Sequence, residues 1–158
     1  MSERHFANVL VVIDGSDAAR RALTSALDLC QATDARLTVL ARGQRMPKAA
    51  TSIAEVEDAK RRRDQSLAAS LDEANVFASY ADVDIVTDSL GGPSWRNIVN
   101  YAAAHENDLI VMGYKPGLLS GRVLRSTVDS VVQHSSCPVM VIGGTVGTDE
   151  NPGIGAVI

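Results

Sequence analysis

With 158 residues and a mass of 16.7 kDa, the chain is one domain's worth of sequence, long enough for a core without disulfides or a structural metal. Hydrophobic residues at 46% and charged residues at 22% exclude a disordered chain, and a net charge of −4 argues against a generic nucleic-acid binder. Two Phe, three Tyr and one Trp are too few for a base-stacking platform, and the longest aliphatic run, Val9 to Ile13, is too short for a bilayer span or a secretory leader.

Val9-Leu10-Val11-Val12-Ile13 reads as a strand buried on both faces of a parallel sheet. Ser16 is placed to cap the next helix, with Asp17 in its first turn. Ala19, Ala22, Leu23, Ala26, Leu29 and Cys30 recur at helical spacing and mark one apolar face, so Cys30 is expected to fill core rather than to react. Leu37 to Ala41 is the second strand, and Gly43 and Pro47 lie in a loop. Ser52 with Glu55 makes a capping box for a longer helix. The basic run Lys60 to Arg63 on that helix is expected to be a solvated face paired with Glu57, Asp58 and Asp64.

Val83 to Val86 reads as the third strand, and Gly91-Gly92-Pro93 punctuates the next connection. Trp95, Ile98, Val99 and Ala102 form the buried stripe of a third helix. Leu109 to Met112 is the fourth strand, ending at Gly113. A last helix carries Val128, Val131 and Val132, and Pro138 to Ile142 is the fifth strand. Strands alternating with helices throughout imply right-handed crossovers and a doubly wound α/β architecture. The chain is divided into a domain over 1–142 and a Gly-rich tail over 143–158. Cys30 and Cys137 lack metal-type spacing, as do His5, His105 and His134, and His134 is expected to be an ordinary surface residue. The expected setting is cytoplasmic and reduced.

The connection from Tyr114 to Arg125 is about twice the usual length, and a structureless loop of that size points to function or mobility. It holds Gly117, Gly121, Lys115, Arg122 and Arg125, and it leads to Ser126-Thr127 at a helix start, where free N–H groups and the helix dipole favour an anion. Ligands of open α/β sheets settle at the carboxyl ends of strands where the strand order reverses. If the first and fourth strands are neighbours, Asp14 supplies a carboxylate for a ribose, and Gly113 with the long loop supplies a phosphate cradle. The structural alternatives are a strand-end turn for Asp14, an exit turn for Gly113 and a capping box of Ser126 with Asp129. No P-loop, dinucleotide fingerprint or Ser-His-Asp arrangement is present.

Four blocks together resemble the universal stress protein family. They are Asn8 to Ser16 with the following Ala22-Leu23 helix, Gly92-Pro93, Asp108 to Gly113, and Cys137 to Ile142. The resemblance covers Asn8 to Ile142. It implies an open five-stranded parallel sheet of order 3-2-1-4-5 with helices on both faces, Rossmann-like and similar to the adenine nucleotide α-hydrolase fold. It also implies ATP, with Mg, as ligand: Asp14 at the ribose, Val12, Ala41 and Met112 around the adenine, and Gly113, Ser126, Thr127 and Val128 at the phosphates.

The family's ATP-binding signature is Gly, two residues, Gly, nine residues, Gly, then Ser or Thr. Counted from Gly113, Pro116 and Ser126 replace its second and third glycines, and Thr127 holds the hydroxyl position. A one-residue slip recruits Gly117 but puts Thr127 and Val128 at the last two positions. Pro116 removes an N–H and Ser126 adds a Cβ, while Lys115, Arg122 and Arg125 bring charge that the backbone no longer supplies. Three functions follow as expectations: a regulatory nucleotide-binding protein with at most very slow ATP turnover, a dimeric interaction module with a vestigial pocket and an unknown protein partner, and an ATP-using enzyme on a related fold. A homodimer is expected through Val139, Met140, Val141 and Ile142, an apolar edge strand that invites pairing.

Overall fold

A computed structural model describes residues 5–43, 49, 51–92, 94–114, 118–119, 122–123 and 127–143. Strand β1 (Asn8–Ile13) lies at the centre of a five-stranded parallel sheet. Its neighbours are β2 (Arg36–Arg42) and β4 (Leu109–Gly113), with β3 (Ile85–Leu90) and β7 (Val139–Ile142) at the two edges. The order β3-β2-β1-β4-β7 is the one the family resemblance implies.

The uninterrupted aliphatic run of β1 is explained by its position. Val9, Val11 and Ile13 enter the layer under α1 (Asp17–Thr33) and α2 (Ile53–Ala81). Leu10 and Val12 enter the opposite layer under α3 (Trp95–Ala104) and α4 (Thr127–His134). Both faces of the central strand therefore need apolar side chains. At the start of the sheet, the Asp108 carboxylate accepts from the Ala7 and Asn8 N–H groups at 2.8 and 3.0 Å, which locks β1 to the entry of β4.

Helix α1 begins as its sequence dictates: Ser16 Oγ accepts from the Ala19 N–H at 3.2 Å, and Asp17 occupies the first turn. Ala22 and Ala26 are wholly buried, and such small residues let the helix lie close on the sheet. Cys30 is 2% exposed, and burial raises its thiol to about pKa 11. An aromatic disulfide reagent at pH 8 is therefore expected to modify the part-exposed Cys137 in the native protein and to reach Cys30 only after denaturation. Equal native rates for the two thiols would contradict this packing. Because the unfolded thiol ionises first, this group also makes stability fall as pH rises from the ordinary thiol range, about 8.5, towards 11.

Four expectations need correction. The third strand runs from Ile85 to Leu90, not from Val83 to Val86. Val83 instead closes the end of α2, donating to the Ala78 carbonyl at 3.0 Å after Asp82 turns left-handed at φ 55°. As an edge strand, β3 keeps a polar, exposed middle, Thr87-Asp88-Ser89, which hid it from an apolar pattern. Val132 is 51% exposed, because the eight-residue α4 buries only the narrow stripe of Val128 and Val131.

The connection after β4, expected to be structureless, contains an antiparallel pair. β5 (Leu118–Leu119) pairs with β6 (Arg122–Val123), in register Leu118 with Val123 and Leu119 with Arg122.

The basic run is only partly a solvated face. Arg62 pairs with Asp58 at 2.6 Å on the exposed side of α2. Arg63, however, stands 3.6 Å from Asp64 and donates to the Gly91 carbonyl at 2.8 Å, tying α2 to the exit of β3. On the other layer, Trp95 of α3 stacks on His134 of α4 with ring centroids 4.3 Å apart, and the Arg96 guanidinium covers Trp95 at 4.6 Å. Exposed His134 thus also joins the two helices, and its Nδ1 lies 2.8 Å from the Ser130 carbonyl. Among the described residues no helix is long and apolar enough to cross a membrane.

Candidate functional site

The chain leaves β1 towards β2 and β3 on one side of the sheet and returns to β4 and β7 on the other, so the strand order reverses beside β1. That is where an open α/β sheet forms a cleft beyond its strand ends. Here the cleft is lined by Val12, Asp14, Ser16, Ala19, Arg42, Met112, Gly113, Thr127 and Val128, and its volume is about 90 Å³. Val12, Met112 and Val128 are buried and make an apolar floor. The polar groups stand around it.

Asp14 is the first residue past β1. Its Oδ1 accepts from the Ser16 N–H at 3.0 Å, and Gly15 takes φ 83°, so the chain turns from strand to helix with the carboxylate fixed at the rim. The other oxygen, Oδ2, is 3.9 Å from Nη2 of Arg42, the last residue of β2. Arg42 Nη1 donates to Thr127 Oγ1, at the start of α4, at 2.9 Å. One guanidinium therefore bridges β1's exit and α4's first turn, with 21% of its side chain exposed. Burial opposes the charged form of Arg42, and the nearby Asp14 carboxylate favours it.

Six residues expected at the site, Val12, Asp14, Met112, Gly113, Thr127 and Val128, come together in this cleft. Ala41 does not. It pairs with Ile13 in the register and packs in the layer of α1 and α2, on the sheet face opposite Val12 and Met112. Side chains alternate along a strand, so a position beside Leu40 and Arg42 points the other way. Lys115, Pro116, Gly117, Arg125 and Ser126 lie outside the described residues, and Arg122 is described only as the β6 partner of Leu119.

Gly113 has a packing role of its own. A Cβ there would lie 2.2 Å from the Ala18 carbonyl oxygen, because the first turn of α1 rests on the end of β4. Of the lining residues not expected from the sequence, Ser16, Ala19 and Arg42, it is Arg42 that brings a charged group. Its one signal was a cation ending a strand whose middle, Leu37 to Ala41, is largely apolar, next to β1 at the reversal of strand order.

A parallel sheet with a cleft of apolar floor, carboxylate, hydroxyl and guanidinium at its reversal point defines an α/β domain of the Rossmann-like class with a candidate ligand cleft. Within that class the chain belongs to the universal stress protein family, whose model matches residues 5–143.

Among solved structures, it is similar to the universal stress protein UspA from Lactobacillus plantarum, with 29% identity over 88% of this chain and 99% of that one, at TM-score 0.73. A universal stress protein in complex with cAMP matches at 26% identity, 88% and 98% coverage, and TM-score 0.70. A family member from Arabidopsis thaliana with AMP bound shares the fold at 21% identity, 90% and 97% coverage, and TM-score 0.62. No curated protein matches the chain.

Proposed function

We propose that this chain is a regulatory protein that binds an adenine nucleotide, ATP with Mg, in the cleft between β1 and β4. The observation that carries the reading is the convergence of an apolar floor, the Asp14 carboxylate and the Thr127 hydroxyl at the reversal of strand order. That donor set suits a nucleotide: Val12, Met112 and Val128 for a base, Asp14 for sugar hydroxyls, and Arg42 with Thr127 for phosphate. Lys115, Pro116, Gly117, Arg122, Arg125 and Ser126 complete the proposed phosphate side. The relative in complex with cAMP supports an adenine ligand. Bound ATP would supply a charged, exchangeable group whose presence a partner can read.

Isothermal titration of nucleotide-stripped protein with Mg-ATP tests the reading. Saturable binding at micromolar concentration is the expected result, and the absence of heat from folded protein would overturn it.

One observation favours a second reading, an interaction module with a vestigial pocket. A volume of about 90 Å³ is small against the roughly 300 Å³ at which ligand pockets begin, and Arg42 spans it. In either case the half-buried edge strand β7, with Val139, Met140, Val141 and Ile142, is the proposed site of pairing with a second copy. Sedimentation velocity distinguishes the dimer mass from the monomer's.

A further inference from the structure

Two of the three signature glycines are replaced in this chain, and the described side of the cleft carries a cation in a place where the sequence pattern assigned nothing. Arg42 is four-fifths buried, bonded to Thr127 Oγ1 at 2.9 Å and 3.9 Å from Asp14 Oδ2, so its guanidinium lies across the cleft rather than in solvent. We infer, resting on the nucleotide reading above, that Arg42 is the residue by which the cleft selects phosphorylated adenine ligands over the free nucleoside.

The selection follows from what each ligand returns for moving the guanidinium. On this inference, a ligand seated on the floor of Val12, Met112 and Val128 takes up the Thr127 side of the cleft and exchanges the hydrogen bond from Arg42 to Thr127 for contacts of its own. A nucleoside offers only neutral hydroxyls and ring nitrogens to a largely buried cation that stands 3.9 Å from the Asp14 carboxylate. A phosphate offers oxygens that match the planar fork of the guanidinium and a second counter-charge in a site where burial already opposes the cation. Thr127 is released to the same anion at the start of α4. A lysine at this position would keep the charge and lose the two-pronged geometry.

The test is titration calorimetry of the wild-type chain, Arg42→Gln and Arg42→Lys with adenosine, AMP and Mg-ATP, with thermal unfolding to confirm that each variant is folded. Arg42→Lys covers the case in which the neutral variant does not fold. The wild type is expected to bind AMP at least about tenfold tighter than adenosine, the ratio that one charge-assisted contact supplies. Arg42→Gln should bring the ratio close to one through lost AMP affinity, and Arg42→Lys should fall between. An unchanged AMP-to-adenosine ratio in the folded variants overturns the role of Arg42 and leaves the nucleotide reading standing. A wild-type chain that binds none of the three ligands overturns both.

Discussion

Replacing Asp14 by alanine is expected to weaken Mg-ATP binding by about 10- to 100-fold, the span of the charged hydrogen bonds that a carboxylate makes to sugar hydroxyls. Two effects oppose each other in this variant. Removal of a negative charge eases the approach of a polyphosphate, but that carboxylate is about one-quarter exposed and 3.9 Å from the guanidinium, so water screens its repulsion. The lost direct bonds should win. Asp14→Asn separates the terms, since an amide oxygen still accepts from the Ser16 N–H and keeps the turn while the charge is gone. Its affinity should lie between alanine and wild type by calorimetry, with an unfolding temperature close to wild type. Undiminished affinity in both variants would remove Asp14 from the site.

Gly113→Ala is expected to be the most destabilising single methyl in the sheet. The new Cβ would meet the Ala18 carbonyl oxygen at 2.2 Å, its carbon at 2.4 Å and its Cβ at 3.0 Å. These are mostly backbone atoms of α1's first turn, so relief requires lifting a helix with seven buried residues off the sheet. Overpacking costs about 1–3 kcal/mol where side chains give way, and a backbone obstacle raises this to roughly 3–5 kcal/mol. Thermal unfolding should fall by about 10 °C, at 2–4 °C per kcal/mol for a chain of this size. A variant that unfolds within about 2 °C of wild type but loses nucleotide would show instead that Gly113 serves ligand approach alone.

The contrast between Gly113 and Arg42 shows what a single sequence makes legible here. Strands were readable where burial on two faces forces continuous aliphatic residues, as in β1 and β4. The reading failed at β3, because an edge strand has little apolar demand and Thr87-Asp88-Ser89 mimics a loop. Asp14 and Thr127, which line the cleft, were legible as candidates because a strand exit and a helix start are marked by local chemistry. The Ala41 side chain packs on the opposite face of the sheet from the cleft floor, and Arg42 beside it carries a group that reaches the cleft. Register and side-chain reach are properties of the assembled sheet, so no local pattern announces them.

The stack of Trp95 on His134 has a practical consequence. Trp95 is the chain's one tryptophan, and its neighbour lies on the same short helix that presents Thr127 and Val128 to the cleft. The protein therefore carries its own optical gauge of the cleft wall. A ligand that reseats α4 would alter the ring's surroundings and hence its emission, so such binding would be read by intrinsic fluorescence at dilutions where calorimetry is blind, without a dye attached.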